Sequence, residues 1–381
     1  MIPPLGFVLA ACLVLMGCVA GHTPVATPTL TLTFTPMPTP TATFAEPFMP
    51  TAPPMTPSPT PNPGPTAVVT PRPTRTMTSV ALSAERQRFG AVALSLTTYD
   101  LMSLNTGWFS TNIGSGPPLA GVDLLYVVHA DEGESRLPLE QLSAFVRSRP
   151  GAIWQVGNEP DIYWQSNCTP EQYARVYQKL YQLIKRADPT ALVAAGAIAQ
   201  PTPLRRLYLD LVLHEYWRLY HETMPVDVWT IHVHIVREER DTWGADIPPG
   251  LANLTGQLYG IQDNDRLDIF QELVVDFRTW MELRGYRERP LIITEFSVLM
   301  PAVYGFDTER VGAFMSGAFD FMLSAVDERT GYPADGNRLV QRWAWYSVAD
   351  PNYPAGNLFD PETGQMTPLG RVFAGYAAPG Y

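Results

Sequence analysis

Three cysteines among 381 residues leave no material for a disulfide framework. Cys12 and Cys18 fall in the apolar leader, so only Cys168 remains and the core itself must hold the fold. Cys168 has no partner His in a recognisable motif, which removes it as a candidate nucleophile. Positive charge is scarce too: 26 Lys and Arg stand against 37 Asp and Glu. A nucleic-acid partner would require a basic stripe, and this acidic balance excludes one. Zinc-protease spacing is absent as well. His214-Glu215 and His221-Glu222 would need a second His at 218, where Arg218 stands, so these residues are expected to face solvent on a helix.

What is present divides the chain into three parts. Residues 1–18 carry no charged side chain and end in Leu15-Met16-Gly17-Cys18. An apolar core this short reads as a cleaved signal and not as a spanning helix. Its ending resembles the bacterial lipobox, which implies lipidation of Cys18; an ordinary secretory signal is the alternative. Residues 19–80 are a Thr/Pro-rich linker whose only charged side chains, with His neutral, are Glu46, Arg72 and Arg75. Runs such as Thr35–Pro40 favour polyproline II and cannot bury a core, so this segment is expected to be a disordered stalk. The remaining residues, 81–381, hold all nine tryptophans and match the size of one (β/α)8 barrel.

Apolar runs in this last part alternate with helical patterns. Strands are expected at 89–96, 106–112, 122–129, 153–156, 191–196, 226–234, 291–296 and 340–347. Helices are expected near 137–146, 169–186, 203–220, 267–283 and 309–326. Thr169-Pro170-Glu171-Gln172 has the register of a capping box with proline at the first helical position. Eight strands with intervening helices point to an α/β fold, a closed parallel (β/α)8 TIM barrel, with chemistry at the strand C-terminal ends.

Two of those ends carry glutamate. Ile153–Val156 runs into Gly157-Asn158-Glu159-Pro160, and Leu291–Thr294 runs into Glu295-Phe296. Two carboxylates at the mouths of the fourth and seventh strands are what glycosidic bond cleavage needs. A lone glutamate there would more simply be a cap or an ion-pair partner.

Together with Gly107-Trp108-Phe109, Val226–His232 and Arg342–Tyr346, these stretches resemble glycoside hydrolase clan A. The closest resemblance is to the family 128-like catalytic domains, which include endo-β-1,3-glucanases. The resemblance implies a retaining double displacement without metal or cofactor. Glu159 would be the acid/base, kept protonated, Glu295 the ionised nucleophile, and Asn158 a donor to the sugar 2-hydroxyl.

His232 and His234 alternate along the sixth strand and share a face. Related enzymes often have His then Tyr there, the Tyr steadying the nucleophile; here the second position is His234. With no third ligand evident, no metal is expected. Trp345, nearer the mouth than Trp343, is the expected platform under the sugar, since indole faces stack on apolar pyranose faces. Trp108 and Trp164 would extend the cleft, although all four tryptophans could instead be packing.

The expected protein is a monomeric retaining glycosidase, best matched to an endo-β-glucanase, with a carbohydrate substrate. It would sit on the extracellular face of the envelope, lipid-anchored or secreted, touching membrane only through the anchor. The alternatives are a non-catalytic carbohydrate-binding surface lipoprotein and a family 39-like exo-enzyme such as a β-xylosidase.

Overall fold

The computed structural model describes residues 86–251 and 254–378. The signal at 1–18 with Cys18, the linker at 19–80 and the last three residues lie outside the described residues. Eight parallel strands close into a barrel in chain order: β1 (Phe89–Val92), β2 (Trp108–Asn112), β3 (Asp123–Val128), β4 (Ile153–Val156), β5 (Leu192–Ile198), β6 (Val228–His232), β7 (Leu291–Phe296) and β8 (Arg342–Trp345). Among the described residues six α-helices surround it: α1 (Leu139–Arg147), α2 (Pro170–Ala187), α3 (Pro203–Tyr220), α4 (Leu267–Leu283), α5 (Thr308–Ser324) and α6 (Pro368–Ala377).

The first two connections lack α-helices. A 3-10 turn, Leu101–Leu104, stands between β1 and β2, and none is assigned between β2 and β3. Among the described residues no helix is long and apolar enough to cross a membrane.

Strand alternation sorts the core into two layers. Val92, Trp108, Leu125, Val127, Ala194, Val228, Ile292 and Ala344 fill the barrel interior. The opposite parity, including Trp154, Trp229, Ile231, Trp343 and Trp345, packs outward among the helices. Gly90 makes the interior possible. It pairs with Trp108, and a Cβ there would lie 2.2 Å from the indole, so only hydrogen leaves room for the ring.

The helices dock by their apolar stripes. At α2, Thr169 Oγ1 accepts from Gln172 N at 3.4 Å, and Thr169 N donates to Gln172 Oε1 at 2.8 Å, closing the expected box. Tyr173 and Tyr177 on that helix are buried against the barrel. Tyr173 Oη donates to Val156 O at 2.7 Å and accepts from Gly196 N, tying α2 to β4 and β5.

Candidate active site

β4 ends where the backbone leaves the sheet through Gly157, at φ 82°, and Glu159, at φ 44°. Glycine adopts that left-handed region freely, whereas a glutamate pays in conformational strain. Proline at 160 stops further pairing. Glu159 N donates to Ala197 O at 2.9 Å, which fixes the turn against β5. Asn158 is half-buried; its backbone N donates to Ser166 Oγ at 3.3 Å, and its Oδ1 faces Gln155 Nε2 at 3.5 Å.

β7 delivers the second glutamate by a register shift. Ile293 pairs with Ile231, but His232 pairs with Glu295, so Thr294 is an extra residue. Strict alternation from inward-facing Ile292 would have turned Glu295 outward. The shift re-aims it toward the interior while Phe296 packs outside against Phe270.

The two carboxylates meet on His232, the fully buried last residue of β6. Its Nδ1 lies 3.0 Å from Glu159 Oε1, and its Nε2 lies 3.6 Å from Glu295 Oε1. His234 Nε2 lies 3.8 Å from Glu295 Oε2. Both glutamate side chains keep a small opening, with 11% exposure at Glu159 and 14% at Glu295.

These contacts make the pair unequal. Burial pushes Glu159 up, but the His232 hydrogen bond and the charges of His232, His234 and Arg205 outweigh it, and its carboxyl is held below the usual range. Glu295 is pushed up to about 7 by burial and by the charges of Glu159 and Asp350, against the pull of His232. The nearer histidine nitrogen serves Glu159, so Glu295 is the weaker acid of the two in the free site. Burial holds His234 below its ordinary value.

The tryptophans are not where they were expected. Trp345 is fully buried, packs on Phe296 and Phe314, and donates from Nε1 to Gly356 O at 2.7 Å, so it has no face free for a sugar. Trp343, two residues away, points outward with it. Trp108 lies inside the barrel but is 1% exposed, covering Gly90. The interior position at the mouth of β8 belongs to Tyr346, whose parity follows from Ala344. Tyr346 is half-buried, stands edge-on to His234 at 6.2 Å and to Tyr353 at 6.1 Å, and donates to Asp350 Oδ2 at 2.6 Å. Counting alternation from the interior residue of β8 would have found it.

A buried polar cluster behind Glu159 was also missed. Arg205, the third residue of α3, is fully buried and pairs with Asp161 and with Glu238 Oε1, the latter at 2.8 Å. It also donates to Ala245 O at 2.7 Å and Asp246 O at 2.9 Å. One guanidinium thus joins the segments that follow β4 and β6 to the start of α3. At the ends of β2 and β3, His129 and Asn112 are bonded at 2.8 Å and line a cavity of about 180 Å³ with Arg136.

Glu159, His232 and His234 each offer a donor atom within 4.8 Å of the others. The facing atoms of Glu159 and His232 are hydrogen-bonded to each other. Cys168 is buried with its thiol pushed up to about 12 by burial, and Sγ donates to Ala130 O at 3.2 Å, so it is an inert core residue. His214 and His221 are exposed, as expected of a solvent-facing helix.

No family model matches the chain, and no curated protein matches it. Solved structures do. An endo-β-1,3-glucanase of glycoside hydrolase family 128, subgroup II, from Sorangium cellulosum aligns at TM-score 0.50 and 16% identity, over 75% of this chain and 97% of its own. Its subgroup II counterpart from Pseudomonas viridiflava aligns at 0.50 and 18%, over 76% and 96%. A subgroup III curdlan-specific exo-β-1,3-glucanase from Blastomyces gilchristii, in complex with glucose, aligns at 0.52 and 17%, over 76% and 99%. At such identities the likeness establishes the fold: this chain has a (β/α)8 barrel like that of glycoside hydrolase family 128.

Proposed function

We propose that this protein is a retaining glycoside hydrolase that cleaves a β-1,3-linked glucan internally, by double displacement. The observation that carries the reading is the convergence of Glu159 and Glu295, from the mouths of β4 and β7, on the single ring of His232. Glu159 acts as acid/base, protonating the leaving oxygen and later activating water. Glu295 is the nucleophile that forms the covalent glycosyl-enzyme. Asn158 reaches the 2-hydroxyl, and His234 steadies Glu295 in the place of a tyrosine. Tyr346 and Tyr353 form the aromatic wall under the sugar in place of Trp345. The glucan linkage and endo action rest on the names of the similar structures, two endo-acting and one exo-acting.

The test is hydrolysis of laminarin and curdlan beside xylan, mannan and cellulose, with product anomers followed by NMR and product lengths by chromatography. β-Anomers released as mixed oligosaccharides from the β-1,3-glucans are expected. Glu159→Gln and Glu295→Gln should each lower turnover about 10³-fold or more. Inverted anomers would end the double-displacement assignment, and binding without hydrolysis would identify a display module.

The leader and stalk complete the proposal: lipidation at Cys18 would hold the barrel outside the cell, with the linker as spacer. Fatty-acid labelling that survives Cys18→Ala would refute the anchor.

A further inference from the structure

The end of β6 and the residue two beyond it bring two imidazoles to one carboxylate. Glu159, His232 and His234 are all buried, and a donor atom of each lies within 4.8 Å of the others. His234 stands where the resemblance to clan A implies tyrosine, so the second imidazole is this chain's own. The two histidines showed no third ligand in the sequence; the turn after β4 supplies it. Two atoms of the cluster, His232 Nε2 and His234 Nδ1, have no hydrogen-bond partner among the described residues. Buried polar atoms are as a rule paired with protein, water or an ion.

Two imidazoles and one glutamate are a donor set of open zinc sites, which leave the fourth position to water or substrate. Tetrahedral zinc, with bonds of about 2.0–2.1 Å, holds its ligand atoms about 3.3 Å apart. His232 Nδ1 stands 3.0 Å from Glu159 Oε1, so that hydrogen bond needs to open only slightly to admit the ion. His234 closes the remaining gap, about 1.5 Å at most from its 4.8 Å limit, by side-chain rotation. A ring that ligates through Nδ1 carries its hydrogen on Nε2. On His232 that nitrogen faces Glu295 Oε1 at 3.6 Å, and His234 Nε2 lies 3.8 Å from Glu295 Oε2. Glu295 is thus placed as the outer carboxylate that orients ligating histidines. Magnesium and calcium require oxygen-rich shells, and the two nitrogens select against them.

We propose, on the glycosidase reading above, that this cluster is also a site for a divalent transition metal of the zinc class, bound by Glu159, His232 Nδ1 and one nitrogen of His234. The ion and the sugar exclude each other, because the ion occupies the carboxyl group that must protonate the leaving oxygen. A transition metal is then a reversible inhibitor, and substrate protects the site from it. The one cation behind Glu159, Arg205, is already paired with Asp161 and Glu238 and leaves the cluster open to a dication.

The measurement is equilibrium dialysis of the full chain against Zn²⁺, with Co²⁺ in its place as a visible probe of four-coordinate geometry. One ion per chain is expected at micromolar free metal. His234→Tyr and Glu159→Gln should each weaken binding about 100-fold or more, and Glu295→Gln, which alters only the outer carboxylate, about ten-fold. Glu159→Gln, a near-isosteric change, carries the test if His234→Tyr does not fold. A β-1,3-gluco-oligosaccharide should displace the ion. Laminarin hydrolysis should fall competitively with added zinc and return with a chelator. No uptake of zinc would leave water as the partner of the unpaired nitrogens and overturn the site. Uptake equal in parent and variants would also overturn it, by placing the ion elsewhere in the chain. Full activity at saturating zinc overturns the exclusion. Zinc held by the cluster of a protein that hydrolyses no glucan would keep the metal site and retire the glycosidase reading; hydrolysis without zinc uptake would do the reverse.

Discussion

His232 holds Glu159 at 3.0 Å through Nδ1 and stands 3.6 Å from Glu295 through Nε2. Two chemically identical acids thereby acquire different proton affinities, although they share one buried chamber. That inequality is the physical basis of the predictions about the pair.

The raised affinity of Glu295 has a consequence for stability. Its folded value, about 7, lies above its ordinary 4.5. The stability it contributes is therefore full below pH 4.5 and is lost as pH rises through 7. Glu295→Gln cannot ionise, so the variant should be more stable than the parent at pH 8, by up to about 3 kcal/mol. Near pH 4 the gain should vanish. Denaturant unfolding at both pH values measures it, and equal stability at pH 8 would contradict the raised affinity.

Trp345 and Tyr346 are neighbours with opposite duties. Trp345→Ala should destabilise the fold by about 3–5 kcal/mol, because it empties an outward core site. Tyr346→Ala should lower Tm less than Trp345→Ala, through the lost hydrogen bond to Asp350, but lower kcat/KM about ten-fold through lost stacking on the sugar. Thermal melts and kinetics on both variants separate the two roles. Equal loss of affinity in both would contradict the assignment.

Arg205→Met leaves Asp161 and Glu238 buried without their cation. Breaking such a cluster from one side costs about 3–5 kcal/mol. A fall in Tm of roughly 10 °C is expected. A loss under about 1 kcal/mol would show that the two carboxylates take up protons or find other partners.

The order of strands and the two glutamates were legible because each barrel strand is an apolar run bounded by turn residues, and each glutamate ends such a run. The capping box at Thr169 was legible for the same reason: its partners lie three residues apart. Features built from distant residues were not. Arg205 finds Asp161 and Glu238 across 44 and 33 positions, and nothing local marks them as partners. The extra residue at Thr294 breaks the parity on which any inward or outward assignment rests, and Trp345 was misplaced because distance to the mouth was weighed above parity. The first expected helix, near 137–146, follows the third strand, and the first two connections indeed hold no α-helix, only the turn at Leu101–Leu104 and irregular chain.

The backbone and the side chain of Glu159 pull in opposite directions. At φ 44° a glutamate costs roughly 1 kcal/mol or more that glycine would avoid and asparagine would lessen. Gly or Asn at this position would relieve the backbone but take from the buried His232 its partner at Nδ1, so the glutamate is held by the ring as well as strained by the turn.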